Sequence, residues 1–289
     1  MYKKIICILV MTLFIASIAI PISALNENNK PLTIGADVPV WQVGDTWTYE
    51  MSLYLAASPN VTDDMVAEVN GELILEVEDD VGDNYKLKGI MKPMKGTVDL
   101  PGNMDLRITR LSSYSSNLEV QKTDLAILNY ESMMKGMVHF TIGPIPLPIP
   151  IQMQSYRQTE FNPALNLIPF PLSDGKSGTI GDFTVTEQAE VSMFWGLIPI
   201  SQEVDLQWPI AEQDYTCTLE SITVPAGTFD VYHIVAEHHW GEHGVDWFYS
   251  YYSEDVGNVV KSSLNIDFGD TELTYYSMEM ELISTSFEL

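Results

Sequence analysis

The chain contains little cysteine and few basic residues, and each shortage excludes some structural or functional features. Its two cysteines are Cys7 and Cys217. Cys7 lies in an apolar N-terminal run that we expect to be removed, so the mature chain has no intramolecular disulfide. Only 14 Lys and Arg residues oppose 40 Asp and Glu, which gives a formal net charge of −26 at pH 7. Such an acidic surface repels nucleic acid and anionic lipid headgroups, so we expect no nucleic-acid partner.

Sequence motifs of the common enzyme classes are missing as well. The chain has no Gly-x-Ser-x-Gly elbow and no glycine-rich loop of the kind that binds phosphate. Cys217 alternates with Tyr215 and Leu219, which is typical of a core residue rather than a nucleophile. Helical periodicity is also scarce, because only residues 162–168 predict a turn or two of helix. These absences favour a non-catalytic protein and leave enzymatic activity an open question.

The N-terminal residues have the pattern of a targeting segment. Lysines precede the apolar run 5–20, and the small residues Ser23 and Ala24 follow it. We therefore expect three parts: a signal peptide (1–24), a linker (25–37) and a single antiparallel β domain (38–289). The localisation that follows is secreted or extracellular cell envelope. The alternative is an uncleaved N-terminal anchor, because the apolar run 5–20 approaches the length that spans a bilayer. No later stretch is apolar enough to do so.

Alternation of apolar and polar residues dominates the remaining sequence. Trp47, Tyr49 and Met51 share one face of a predicted first strand, and Thr48 and Glu50 share the other. A strand of this kind has one buried face and one hydrated face. The same alternation recurs in residues 72–78, 203–208 and 276–282. Runs of this type number roughly a dozen, and their short connections predict an all-β, mostly antiparallel chain.

Turn-forming residues separate these runs. They occur at residues 70–71, 79–84, 101–103, 173–175 and 268–270. Asn70 and Gly71 form the residue pair that a type I′ hairpin turn requires. We therefore predict a hairpin at that position.

Three proline-containing segments interrupt the strand pattern. They are residues 143–151 (GPIPLPIPI), 167–172 (LIPFPL) and 194–200 (FWGLIPI). Proline has no N–H to donate to a neighbouring strand, so these segments are not expected to be central strands. We predict extended or polyproline-II segments that lie over the open side or one rim of an apolar sheet face.

The C-terminal third combines tight turns with aromatic strands. Residues 224–230 (VPAGTFD) contain a turn in which Pro225 fixes one φ and Gly227 supplies a positive φ. Residues 247–252 form an aromatic strand, and Gly257 supplies the second turn, within VGNVVK.

These segments, together with residues 41–49 (WQVGDTWTY), resemble the DUF3108-like or TapB-like exported β proteins. The resemblance covers the beginning and the end of the mature chain, whereas the proline-containing middle departs from it. It implies one strongly curved antiparallel sheet, a half-barrel similar to the lipoprotein carriers LolA and LolB, whose concave face holds acyl chains. It supplies no catalytic residues.

A binding protein for an apolar ligand, such as a lipid chain, is therefore the leading expectation. The residues expected to line the ligand are aromatic or apolar: Trp47, Tyr49, Met51, Trp195, Trp247 and Tyr249. Methionines bracket the first proline segment at Met133, Met134, Met137 and Met153. Methionine adapts to irregular ligand surfaces, although the same residues also suit an ordinary core.

Two patterns would suit metal ions. Glu237, His239 and His243 lie in one predicted hairpin and offer the oxygen and imidazole ligands that zinc accepts. The acidic turn 79–84 offers oxygens for calcium, although its spacing matches no standard calcium loop. Solvated turns without bound metal are the alternative in both cases.

Two other functions stay open. The proline segments would allow an envelope module that binds another protein. The histidine hairpin would allow a metal-dependent enzyme.

Overall fold

The computed structural model describes residues 35–288, with gaps at 61–62, 93–94, 101–103, 143–144, 147–150, 196–197, 240–244 and 268–272. All regular structure in this described part is strand, and none of it is helix. The strands are β1 (Thr46–Asn60), β2 (Asp63–Val81), β3 (Asn84–Met91), β4 (Lys95–Leu100), β5 (Met104–Gln121), β6 (Ile127–Ile142), β7 (Ile145–Pro146), β8 (Ile151–Leu165), β9 (Ser177–Ile180), β10 (Phe183–Trp195), β11 (Ile198–Ile210), β12 (Gln213–Val224), β13 (Gly227–His239), β14 (Val245–Ser253), β15 (Asn258–Asp267) and β16 (Leu273–Thr285).

The strands form one antiparallel sheet that does not close. Its order is β11-β10-β8-β6-β5-β3-β2-β1-β16-β15-β14-β13-β12-β9, with β4 beside β2 and β5, and β7 beside β6. Among the described residues, β11 and β9 are therefore the two edges. The sequence-based prediction of a curved, single-sheet all-β fold is confirmed.

The alternation seen in the sequence separates the two faces of the sheet. Trp47, Tyr49 and Met51 of β1 are fully buried, whereas Glu50 and Ser52 are exposed. Trp47 lies opposite Leu75 of β2, so the buried faces of neighbouring strands are in register. We call this inward side the concave face and the polar side the outer face.

Contacts between strands that are not neighbours show the curvature. The backbone N–H of Ala226, in the β12–β13 turn, donates to the carbonyl of Leu282 in β16 at 3.0 Å. Three strands separate β12 from β16 in the sheet order. The Trp41 ring packs on Tyr85 of β3, while its Nε1 donates to the Gly257 carbonyl before β15. The sheet therefore bends around its own apolar side chains.

One end of the concave face is covered by the chain itself. Ile168, Phe170 and Leu172 are buried in the segment that follows β8. The Phe170 ring packs edge-on against Tyr252 of β14, with ring centroids 5.0 Å apart. Ala36 pairs with Leu172 through an isolated bridge. The proline-containing segment 167–172 thus lies over this part of the sheet, which we call the covered end.

The other two proline segments lie elsewhere. The two ends of 194–200 fall in β10 and β11, so Pro199 is in an edge strand, where a missing N–H is tolerated. Of the segment 143–151, the structure describes only β7 and Ile151. The remaining residues of that segment lie outside the described part of the chain.

Two local predictions are wrong. Asn70 and Gly71 are not a hairpin turn, because they lie inside β2 opposite Ser52 and Met51. Residues 162–168 do not form a helix, because β8 continues to Leu165.

Candidate ligand-binding site

The concave face changes character from strand to strand across the sheet. At the covered end Trp47, Tyr49 and Met51 have no exposed surface. Across the sheet from β1, in β3, β6 and β8, lies an apolar group that we call the methionine strip: Met91, Met134, Ile151 and Met153. Their side chains keep between 5% and 9% of their surface exposed. Three of these four side chains are methionine, the most adaptable apolar side chain.

Buried polar side chains adjoin the methionine strip. We call them the polar cluster: Tyr114, Ser116, Tyr130, Ser132, Arg157, Thr159 and Glu187. They come from β5, β6, β8 and β10, which are neighbours in the sheet. The Arg157 guanidinium pairs with the Glu187 carboxylate, and their side chains are only 5% and 3% exposed. The hydroxyls of Tyr114 and Tyr130 are hydrogen-bonded to each other.

Strand register explains why these side chains converge. Arg157 lies opposite Ser132, Ser132 lies opposite Ser116, and Ser116 lies opposite Gly89. Side chains along this row are small, which leaves room for the long arginine to lie on the face. The space at Gly89 is filled, since an added Cβ would come within 2.2 Å of Ser116 Oγ.

The next row of the polar cluster contains Thr159. It lies between Tyr130 of β6 and Glu187 of β10. Thr159 is 3% exposed, and within the described part of the chain its Oγ1 has no hydrogen-bond partner. A buried hydroxyl in this state costs free energy unless another group satisfies it.

Burial keeps both tyrosines neutral. Burial is the largest cause that raises the pKa of Tyr114, and the nearby Arg157 charge lowers it only in part. The pKa of Tyr130 is raised well above its usual value, again mainly by burial. The Tyr114–Tyr130 pair therefore offers hydroxyl groups and no charge at any physiological pH.

Three of the residues expected to line a ligand belong to the core of the covered end. The Trp47 Nε1 donates to the Val256 carbonyl, and the Tyr49 hydroxyl donates to the Val259 carbonyl, each at 2.9 Å. Met51 has no exposed surface. As they stand, these side chains pack against the protein itself, so a lining role for them stays a prediction that requires the cover to open.

The other three expected lining residues lie elsewhere. The Tyr249 ring is beside His233, with ring centroids 6.0 Å apart, on the outer face of β14 and β13. That placement puts Tyr249 on the side opposite to the concave face, because neighbouring Ser250 occupies the buried side. Trp195 and Trp247 are in β10 and β14, and their side chains lie outside the described part of the structure.

The metal predictions are only partly covered by the structure. Glu237 is half-buried in β13, the side chain of His239 is not described, and His243 falls in the gap at 240–244. Among the described residues, no three or more His, Cys, Asp or Glu side chains form a group that could hold a metal ion. At the acidic turn, the Lys122 ammonium pairs with Asp80 and donates to the Gly82 carbonyl at 2.7 Å. Zinc and calcium binding stay predictions.

Sequence analysis did not identify the polar cluster. A signal was present in β8, where Arg157 has the same strand parity as the apolar Ile151 and Met153. Glu187 likewise shares the parity of Val185 and Ala189 in β10. A charged residue at an inward-facing position of two strands that pair with each other is the pattern to search for.

Comparisons with family models, curated proteins and solved structures found no match for this chain. The resemblance to the DUF3108-like or TapB-like proteins therefore stays a prediction. Within the described residues, no helix is long and apolar enough to cross a membrane.

Proposed function

We propose that this protein is a secreted or surface-tethered, non-catalytic binding protein that holds an apolar ligand, such as a lipid chain, on its concave face. The observation that carries this proposal is the polar cluster beside the methionine strip. Ligand sites are typically concave and mostly apolar, with a few converging polar groups. The strip and the cluster have this composition, and β5, β6 and β8 contribute to both or connect them.

Energetics favour the methionine strip over the covered end as the place for a ligand. Displacing Phe170 or Trp41 from the covered end would expose a packed core. A chain bound at the strip requires only that the methionine side chains rearrange, and each Å² of apolar surface that it removes from water contributes about 25 cal/mol. Methionine side chains change rotamer readily, so the strip can adjust to the chain.

Binding of a pyrene-labelled alkyl chain, the probe, tests this proposal. Two adjacent methionines of β6 are substituted in turn. Met134 lies on the concave face and Met133 is 38% exposed on the outer face. We expect the wild type and Met133→Glu to bind the probe alike. Met134→Glu should weaken binding by about tenfold or more, because it places a charge against the alkyl chain. Native mass spectrometry of protein from its host should also show co-purified lipid.

Met134→Trp separates a binding defect from a folding defect. It keeps the strip apolar and occupies ligand space, so we expect weaker probe binding with an unchanged circular dichroism spectrum. A wild-type protein that carries no lipid and binds no probe contradicts the proposal. Equal effects of Met133→Glu and Met134→Glu would contradict it as well.

A further inference from the structure

The polar cluster is charge-balanced, and this limits which ligand headgroup it accepts. Arg157 and Glu187 pair with each other in a buried position. The pKa values of Tyr114 and Tyr130 are raised, so both tyrosines stay neutral. A carboxylate placed here meets Glu187, and an ammonium placed here meets Arg157. In either case a buried charge is left without a full counter-charge, which is expensive in a low-dielectric site.

A ligand hydroxyl group, by contrast, can form hydrogen bonds with the side chains of the polar cluster. Thr159 Oγ1 is buried without a partner in the described part of the chain, and it lies in the row between Tyr130 and Glu187. A ligand hydroxyl both donates and accepts a hydrogen bond, so it can satisfy Thr159 while it contacts the tyrosine hydroxyls. The formal charge of −26 on the chain adds a long-range penalty for anionic ligands.

The strand register indicates where the alkyl chain of a ligand would lie. Tyr114 lies opposite Met134 on one side and Met91 on the other. The cluster therefore borders the methionine strip directly. A headgroup in the cluster leaves its alkyl chain to run along the strip.

We infer that the polar cluster binds a neutral, hydroxyl-bearing headgroup, so that the ligand is a long-chain alcohol or a comparable neutral lipid rather than a fatty-acid anion or an alkylammonium. This inference rests on the proposed function, since it names the ligand class of the same concave site.

The test is displacement of the pyrene-labelled alkyl chain from the full-length protein by dodecanol, laurate and dodecylamine at neutral pH. These competitors share one chain length and differ only in the headgroup. The dodecanol headgroup is neutral, that of laurate is negative and that of dodecylamine is positive. We expect dodecanol to displace the probe at a concentration about tenfold lower than either charged competitor. Equal displacement by all three, or stronger displacement by laurate, overturns the inference.

Two variants assign the selectivity to the cluster. Thr159→Val keeps the side-chain shape and removes the hydroxyl, so it should weaken dodecanol binding about three- to tenfold relative to probe binding. Thr186→Val is the control, because Thr186 lies on the opposite face of β10 and pairs with Glu160. Glu187→Gln removes the negative charge beside Arg157, so laurate should gain relative to dodecanol.

The outcomes separate the two proposals. A wild type that does not bind the probe at all contradicts the proposed function. Probe binding without headgroup selectivity, or selectivity that Thr159→Val and Glu187→Gln leave unchanged, contradicts only the headgroup inference.

Discussion

At the scale of single residues, three aromatic side chains connect the two ends of the chain. Trp41, Trp47 and Tyr49 donate hydrogen bonds to backbone carbonyls of residues 256–259. Buried Trp and Tyr need such partners for their polar tips, and here carbonyls at the β14–β15 turn and the start of β15 supply them. The segments that carry the family resemblance therefore contact each other, which gives them a structural role.

Gly257 is the residue at which this contact is most sensitive. Its φ is +61°, and an added Cβ would lie 2.5 Å from the ring of Phe287. Gly82 has the same φ and no atom within 4 Å of an added Cβ. Left-handed backbone costs an L residue about 1–2 kcal/mol, and the clash adds about 1–3 kcal/mol. We expect Gly257→Ala to lower the free energy of unfolding clearly more than Gly82→Ala, as measured by urea denaturation. Equal losses would show that Phe287 moves aside without cost.

His233 makes the stability of the fold depend on pH. Its ring stacks on Tyr251 and lies near Tyr249, and its Nδ1 is 2.8 Å from Glu220 Oε1. Burial lowers the pKa of His233, and the Glu220 charge opposes this only in part. As the pH falls through about 6.5, the unfolded chain therefore binds the proton before the folded chain does. Stability from this group is present above that pH and is lost below it.

Replacement of His233 isolates the effect from the other acidic groups. We expect the free energy of unfolding of the wild type to fall more steeply between neutral and mildly acidic pH than that of His233→Gln. Denaturation at a series of pH values measures both slopes. A variant with the same slope as the wild type, or an NMR titration that finds a raised pKa for His233, would contradict the argument.

Residue-level predictions succeeded where local chemistry decides the structure. Gly227 and Gly257 have the positive φ that their turns were predicted to need. Arg157 was not identified as part of a site, because its strand parity indicates the buried face but not which side chain pairs with it. Its partner Glu187 is on another strand, and only strand order brings the two together.

At the scale of elements, the failed hairpin at Asn70 shows how context overrides a turn motif. The alternation of Val69, Leu73 and Leu75 continues across Asn70 and Gly71, and all three are buried. The partner strand of β2 changes close to this point, from β4 to β3. The burial of a long apolar face outweighs the local preference of two residues for a turn.

The edge strand β11 has residues that disfavour pairing with a second copy of the chain. Glu203 and Asp205 are exposed on it, and prolines lie near both ends. Charges and prolines on an edge discourage pairing with another chain. We expect the double variant Glu203→Thr, Asp205→Thr to associate more than the wild type in light scattering after gel filtration, because threonine favours strand pairing.

A matched control changes the same charge on central strands. Glu50 of β1 and Glu78 of β2 are also exposed, but their strands have partners on both sides. The variant Glu50→Thr, Glu78→Thr should therefore keep the wild-type oligomeric state. If both double variants associate equally, net charge rather than the open edge controls association.

At the scale of the whole molecule, the sequence predicted the fold class far better than the site. Period-two alternation over most of the chain sufficed for an all-β sheet with one buried face. It could not show that the chain covers one end of that face, because this cover depends on where Phe170 and Trp41 meet distant strands. The aromatic residues Trp47 and Tyr49 were therefore predicted as ligand contacts, whereas the structure places them in the core.

The contact between Phe170 and Tyr252 holds segment 167–172 over the covered end. Phe170 is 4% exposed and packs on Tyr252, whereas Phe194 is 43% exposed. Phe170→Ala should cost about 3–5 kcal/mol of unfolding free energy and raise the fluorescence of an apolar dye, because it loosens the cover over Trp47 and Tyr49. Phe194→Ala should change stability by less than about 0.5 kcal/mol. A loss for Phe170→Ala as small as that for Phe194→Ala would mean that segment 167–172 rests on the sheet without holding it, and the covered end would then be open to ligand after all.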